Sequence, residues 1–172
     1  MEEKELVCRA KSGDREALNT LIEIYYGEIY SFLYRRTGNK AAAEDAAQNT
    51  FLRFIENLSN YKENGKLKSY LFTIAVNISN DYFREKKKET ELTTENDGEE
   101  NAAAGDFESG EKALAVRQAV LSLPEKQRDT VILKYYHGMK LTEIASVQKV
   151  PVSTVKTRLR RALIYLKECE LW

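Results

Sequence analysis

Between Glu89 and Glu111 the chain carries nine acidic residues and no basic one. No other feature constrains the fold as strongly. The stretch also holds Gly98, Gly105 and Gly110, an alanine run at 102–104 and few apolar side chains. Such a composition buries too little apolar surface to offset the entropy of ordering a backbone. Residues 89–111 are therefore expected to form a flexible acidic linker, the alternative being a solvated charged helix. Either way the chain is cut into an N-terminal part, residues 1–88, and a C-terminal part, residues 112–172. The cut also exposes a hidden charge. The whole chain balances 27 Lys+Arg against 27 Asp+Glu, so outside the linker 27 bases face only 18 acids.

The N-terminal part reads as helices throughout. It has no proline, and Gly13, Gly38 and Gly65 punctuate it. A short leading helix is expected around Glu3 to Lys11. Asp14 is placed to cap the next one, which carries Ala17, Leu18, Leu21, Ile22, Tyr25, Ile29, Phe32 and Leu33 at spacings of three and four. After Gly38 a second stripe runs Ala43, Ala46, Ala47, Thr50, Phe51, Phe54, Ile55 and Leu58. After Gly65 a third runs Leu67, Tyr70, Leu71, Ile74, Ala75 and Ile78. No stretch sustains the period-two alternation of a strand. Such amphipathic helices close into a small bundle.

Four shorter helical patterns follow in the C-terminal part: about 111–121, Pro124 to about Tyr136 with Gly138 as its stop, Leu141 to Gln148, and Ser153 to about Lys167. The third is expected to be capped at Thr142 or just before it, and the fourth at Ser153. The turn Lys149-Val150-Pro151-Val152 between the last two makes the outline of a helix-turn-helix. The expected fold is thus all-α, two small helical domains joined by the linker.

The last helix points to a partner. Val155, Leu159, Ala162, Leu163 and Leu166 fall on one face at a period of 3.6, and Ser153, Lys156, Thr157, Arg160 and Arg161 mostly on the other. From Val150 to Lys167 there are five bases and no acid. A solvated helix usually mixes signs. One buried stripe and one basic, hydroxyl-bearing face suit the DNA major groove, where Arg and Lys reach guanine edges and Ser or Thr serve bases or phosphates.

A second nucleic-acid signal runs from Asn57 to Lys88. A polar loop with Asn57, Ser59, Asn60, Tyr61 and Lys66 leads into a helix with Tyr70, Asn77, Asn80, Asp81 and Arg84. Aromatic rings and amides among bases are what a single strand needs for stacking and edge recognition. Core packing is the competing explanation for Tyr70 and Phe72.

Other classes are excluded on composition. Cys8 and Cys169 sit at opposite ends and form neither a disulfide framework nor a zinc cluster. A single histidine, His137, leaves no two-His metal site. No nucleophile–base pair or phosphate-binding glycine loop is present, so neither an enzyme nor a cofactor is expected. No run approaches the roughly 18 apolar residues of a membrane span, and the acidic start Met-Glu-Glu-Lys-Glu lacks a signal peptide's pattern. A cytoplasmic location is expected.

Several short motifs together resemble the extracytoplasmic-function group of bacterial RNA polymerase sigma factors. Ala10-Lys11-Ser12-Gly13-Asp14-Arg15-Glu16-Ala17-Leu18 looks like the family's A-x-x-G-D-x-x-A-(F/L). Ala43-Glu44-Asp45-Ala46-Ala47-Gln48-Asn49-Thr50-Phe51 is similar to A-E-D-x-x-Q-(E/D)-x-F. Tyr70-Leu71-Phe72-Thr73-Ile74-Ala75-Val76-Asn77, with Asp81 and Arg84, resembles W-L-x-x-I-A-x-N-x-x-x-D-x-x-R. Leu123-Pro124, Tyr136-x-Gly138, Glu143-Ile144-Ala145 and Thr154-Val155-Lys156-Thr157-Arg158-Leu159-x-Arg161-Ala162 resemble its C-terminal signature. The chain departs from the pattern at Tyr70, where the family has tryptophan, at Asn49 for an acid, and at Ser153 for glycine.

The resemblance implies a promoter-specificity subunit without catalysis. It assigns Asp45, Gln48, Asn49 and Leu52 to docking on the β′ clamp coiled coil of core polymerase, with the β flap as a further contact. It assigns the loop and helix residues from Asn57 to Arg84 to the −10 element, with Tyr61 and Asn77 at a pocket for a flipped base. It assigns Thr142, Ser153, Thr154, Lys156, Thr157, Arg160 and Arg161 to the −35 element. It further implies an anti-sigma factor, in many cases membrane-anchored, which would hold the chain at the inner face of the membrane. The acidic linker would thread toward the RNA exit channel. No small-molecule substrate is implied. The alternative function is a free-standing helix-turn-helix regulator whose N-terminal bundle senses a ligand or dimerises.

Overall fold

The computed structural model describes residues 2–92 and 110–169, and among these every regular element is helical. The N-terminal bundle consists of α1 (Glu3–Lys11), α2 (Arg15–Thr37), α3 (Lys40–Asn57) and α4 (Leu67–Leu92). The C-terminal group consists of α5 (Glu111–Ser122), α6 (Glu125–Val131), α7 (Leu141–Gln148) and α8 (Val152–Glu168).

Local chemistry sets these boundaries. The Asp14 carboxylate accepts from the amides of Glu16 and Ala17 at 3.0 and 3.1 Å and is clamped by Arg9. The Ala17 amide above all, then Arg9, holds its pKa below the ordinary carboxylate range. Gly38 ends α2 at φ +68°, a left-handed conformation that strains any residue with a Cβ. Asn39 then caps α3 through the amide of Ala42 at 2.9 Å. In α3, Ala43, Ala46 and Ala47 let the backbone approach its neighbours closely, while Phe51 and Phe54 fill the bundle centre. Ile29, Phe32 and Leu33 of α2 and Leu67, Leu71 and Ala75 of α4 complete that core. Phe72 is wholly buried, so core packing is its role.

Three expectations about element ends are corrected. Residues 89–92 belong to α4, which runs on past the basic Lys86–Lys88 turn. Residues 93–109 of the expected linker lie outside the described residues. Helix α7 is not capped by Thr142: its N-cap is Lys140, whose amide donates to the Glu143 carboxylate at 2.7 Å. Helix α8 starts one residue before Ser153 with Pro151 as its N-cap, so Ser153 lies inside the first turn. The pattern from Pro124 to Tyr136 divides into α6 and a wide π-helical turn at Ile132–Tyr136. The wide turn keeps consecutive Val131, Ile132 and Leu133 buried, and the chain then reverses at Gly138, φ +61°.

Candidate nucleic-acid and polymerase interface

The helix-turn-helix is built from α7 and α8. Lys149 closes α7 in the left-handed region at φ +55°, Val150 donates to the Ala145 carbonyl, and Pro151 prevents α7 from continuing. Gln148 ties three helices together. Its amide nitrogen donates to Thr130 Oγ1 at 2.9 Å, and its oxygen accepts from Arg158 Nη1 at 2.8 Å. Val155, Ala162 and Leu166 of α8 are buried on this support. Lys156, Arg160 and Arg161 are exposed, as are Thr142 and Ser153. Thr154 and Thr157 are half-buried, and the Thr157 hydroxyl is spent on the Ser153 carbonyl at 3.0 Å.

The buried stripe of α8 is narrower than its sequence pattern. Leu159 and Leu163 are half-buried and Ile164 is exposed. Together they floor a shallow groove of about 360 Å³ bordered by Lys156, Arg160 and Lys167. Leu159 is therefore not a full core residue: it packs against the core only in part, whereas Val155, Ala162 and Leu166 are buried.

In the loop after α3 the backbone is fixed by its own side chains. Glu63 accepts from the Gly65 amide at 2.5 Å and Asn64 from the Lys66 amide at 3.2 Å. Lys11 Nζ reaches from α1 to the Tyr61 carbonyl at 2.6 Å. Ser59, Asn60 and Lys66 face solvent, whereas Asn57 donates back to the Arg53 carbonyl at the end of α3. Tyr61, expected as an aromatic available to a base, is buried against Tyr70. Its hydroxyl makes no hydrogen bond among the described residues. Burial, followed by the nearby Glu63 carboxylate, pushes that hydroxyl's pKa up to about 12.

Helix α4 spreads the remaining residues over two faces. Asn77, Asn80 and Arg84 line a cleft facing α6–α8, whereas Asp81 lines a groove against α3. Asp81 and Arg84 still reach one another at 2.7 Å across the exposed edge. The α3–α4 groove, about 670 Å³, brings Asp45, Asn49 and Leu52 to one rim. Gln48 is exposed one turn from Asp45. Leu52 is 56% exposed and Ile55 40%. Two large apolar side chains standing free beside acidic and amide groups form the kind of patch that marks a protein contact.

Two residues carrying much of the polar architecture escaped the sequence reading. Arg36 is wholly buried and bonded to Asp129, itself buried on α6. Arg36 follows Ile29, Phe32 and Leu33 on the buried stripe of α2. Asp129 precedes Ile132 and Leu133 on theirs. A base and an acid each standing in a stripe position are the signal that would have found them.

Residues 21–89 match the family Sigma-70 region 2, and residues 113–166 match Sigma-70, region 4. The ECF RNA polymerase sigma factor SigW of Bacillus subtilis is 34% identical over 170 residues, covering 92% of this chain and 91% of that protein. The chain belongs to the ECF sigma factors. BldN of Streptomyces coelicolor, another ECF sigma factor, is 32% identical over 92% of this chain and 62% of its own length. The fold is shared with two solved structures at 21% identity. One is RpoE of Bartonella quintana in complex with the anti-sigma factor NepR, with a TM-score of 0.71 over 88% of this chain and 94% of that one. The other is CnrH in complex with the cytosolic domain of CnrY, with a TM-score of 0.70 over 96% and 95%. This ECF sigma factor is thus a subunit that directs transcription initiation, in a family whose members are promoter-specificity subunits rather than enzymes. Among its described residues no helix is long and apolar enough to cross a membrane.

Proposed function

We propose that α1–α4 and α5–α8 act as two recognition units on one polymerase, joined through the acidic stretch after Leu92. Helix α8 reads the −35 major groove through Lys156, Thr157, Arg160 and Arg161, with Thr142, Ser153 and Thr154 at the backbone. Asn57, Ser59, Asn60, Tyr61, Lys66 and Tyr70, with Asn77, Asn80, Asp81 and Arg84 of α4, receive the −10 strand. Asp45, Gln48, Asn49 and Leu52 dock on the β′ clamp, and α5–α8 meet the β flap. Linking two weak sites raises the effective concentration of the second once the first is bound. The observation that carries this reading is the exposed basic face of α8 on a helix-turn-helix, with no acid from Val150 to Lys167.

An anti-sigma factor is the proposed antagonist, by analogy with the RpoE–NepR complex. The chain works in the cytoplasm, held at the membrane where that antagonist is anchored. It has no catalytic activity, cofactor or small-molecule substrate of its own.

In vitro transcription with core polymerase and genomic fragments, with start sites mapped, tests the reading. Initiation at discrete sites sharing −35 and −10 sequences is expected only when the chain is added. Tight sequence-specific duplex binding by the free chain, without polymerase association, would establish the helix-turn-helix regulator instead.

A further inference from the structure

A cleft of about 420 Å³ lies where α4 meets α6, the turn after α7, and α8. Its charge is one-sided. Arg36, Arg84, Lys87, Lys126, Lys149 and Arg158 line it, against the acids Glu125 and Asp129. Both acids are already spent. The buried Arg36 guanidinium donates to the two carboxylate oxygens of Asp129 at 2.6 and 3.0 Å and to Glu125 at 2.6 Å. Arg84 pairs with Asp81 at 2.7 Å on the exposed edge of α4. Lys87, Lys126 and Lys149 make no ion pair among the described residues. Arg158 Nη1 donates to a neutral partner, Gln148 Oε1, at 2.8 Å. Gln148 is itself anchored, its amide nitrogen donating to Thr130 Oγ1 at 2.9 Å and to the Lys126 carbonyl at 3.3 Å. The Arg158 guanidinium is thereby held in place with donors to spare. Asn80 gives its carbonyl oxygen to Arg36 at 2.6 Å, so its amide N–H groups are what it has left to offer.

Lys149 supplies a second, independent sign. It closes α7 at φ +55° and is the one non-glycine residue in the left-handed region among the described residues. Glycine takes that conformation without strain on a Cβ. A lysine held there with its ammonium unpaired is the kind of backbone outlier from which a binding role is inferred.

The chemistry of a ligand follows from these groups. Cations gathered in a cleft focus the field and concentrate counter-ions. Bases stand on both walls, Arg84 and Lys87 on α4 and Lys126, Lys149 and Arg158 opposite, so a fitting anion carries charge at more than one point. The volume falls in the range of small-molecule sites, about 300–1,000 Å³. Arginine forks match phosphate oxygens two at a time, and lysines serve phosphate as point charges. No ring is left over for a base. Phe83, the aromatic of the lining, is already engaged by the guanidinium groups of Arg36 at 5.1 Å and Arg128 at 5.8 Å.

We propose that this cleft is a binding site for a small polyphosphate, two or more linked phosphoryl groups gripped by Arg84, Lys87, Lys126, Lys149 and Arg158, with no reading of a base. The site goes beyond the promoter reading and does not rest on it. Calorimetric titration of the full free chain with sodium triphosphate, at constant ionic strength, tests it. One saturable site per chain is expected, with orthophosphate at least about tenfold weaker. Inorganic triphosphate and ATP, the two sources of the same chemistry, should bind alike. Loss of one charge-assisted contact is worth about tenfold in affinity, so Lys126→Gln and Lys149→Gly should each weaken triphosphate by about that factor. Without ligand, Lys149→Gly should melt at or above the wild-type temperature, because glycine relieves the strained cap. Its loss of affinity is then not a loss of fold. Lys4→Gln removes the same charge from an exposed position on α1, outside the cleft, and should leave binding unchanged. Absence of saturable binding, or equal affinity for orthophosphate and triphosphate, would overturn the site. So would wild-type affinity in both cleft variants, or an equal loss in Lys4→Gln. ATP binding more than about tenfold tighter than triphosphate would overturn recognition through phosphoryl groups alone. The titration contains neither polymerase nor promoter, so its failure leaves the proposed function standing.

Discussion

The ring of Tyr61 lies 4.8 Å from the ring of Tyr70, inclined by 35°. One ring comes from the loop after α3 and the other from the first turn of α4, so the pair pins the loop to the bundle. Phe54 extends the cluster with an edge contact to Tyr70 at 6.3 Å. An aromatic assigned to capturing a base is thus already packed against another ring, and its hydroxyl is buried without a hydrogen-bond partner among the described residues. A buried unmade hydrogen bond costs about 1–3 kcal/mol. Tyr61→Phe should therefore melt at or above the wild-type temperature, whereas Tyr61→Ala should lose about 3–5 kcal/mol through a cavity. Permanganate reactivity of the −10 strand separates the two roles. If the hydroxyl contacts the base, Tyr61→Phe will reduce promoter melting although the fold is more stable.

Leu52 and Ile55 give the polymerase assignment a test of its own. Both are exposed on α3, and Leu52 shares its rim with Asp45 and Asn49. A surface substitution of this kind changes stability by no more than about 0.5 kcal/mol. Leu52→Glu should leave the thermal transition in place yet weaken association with core polymerase at least tenfold, as an apolar anchor at the centre of an interface would. Fluorescence anisotropy of the labelled chain against core polymerase reads this directly. Unchanged affinity would remove α3 from the interface.

His137 predicts how the closed molecule responds to acid. Its ring is packed beside Phe32 and Phe72, and burial, the largest influence, lowers its pKa from 6.5 to about 4. The native state therefore keeps the imidazole neutral while the unfolded chain takes up a proton below about pH 6.5. Stability is complete above that pH and declines as the pH falls from about 6.5 to 4, by up to about 3 kcal/mol at 1.36 kcal/mol per unit. His137→Gln removes that contribution and leaves the carboxylate contributions common to both proteins. Urea melts at pH 7 and pH 4.5 should show a larger loss in the wild type than in the variant. Equal losses would mean that the ring is solvated.

Much of this fold is legible from spacing alone. The stripes of α2, α3 and α4, the Asp14 cap and the Gly38 and Gly138 stops depend on contacts within a few residues, and the sequence displays those. What it hides are interactions set by distant chain. Arg36 and Asp129 are separated by 93 positions, and nothing local pairs them. The Glu143 cap of α7 was obscured by a threonine in a plausible place, and the first turn beyond Lys88 by acids that a helix tolerates on its solvated sides. For the candidate site, residue types on α8 were readable because DNA demands bases and hydroxyls. The division of Asn77, Asn80 and Arg84 from Asp81 was not, because a shared helix does not mean a shared face.

The α8 helix sets a structural stripe against a recognition face on neighbouring residues. Leu166 is buried under the helix and Leu159 only partly so, beside the groove edged by Lys156 and Arg160. Leu166→Ala should cost about 2–5 kcal/mol of stability, and Leu159→Ala distinctly less. Arg160→Ala and Lys156→Ala should leave the melting temperature nearly unchanged, each within about 0.5 kcal/mol. Their effect belongs to transcription. Loss of a base contact weakens discrimination by roughly 1–3 kcal/mol at one base pair, whereas loss of a phosphate contact weakens all sequences alike and lowers the salt slope. Scoring both variants in holoenzyme against every single-base change in the −35 element distinguishes these cases. If Arg160 reads a base, its variant will tolerate changes at one position that the wild type rejects, and Lys156, one turn away, will report an adjacent position or the backbone. A uniform promoter response from both variants at unaltered salt dependence would mean that this face is solvated surface and that −35 reading lies elsewhere on the helix-turn-helix.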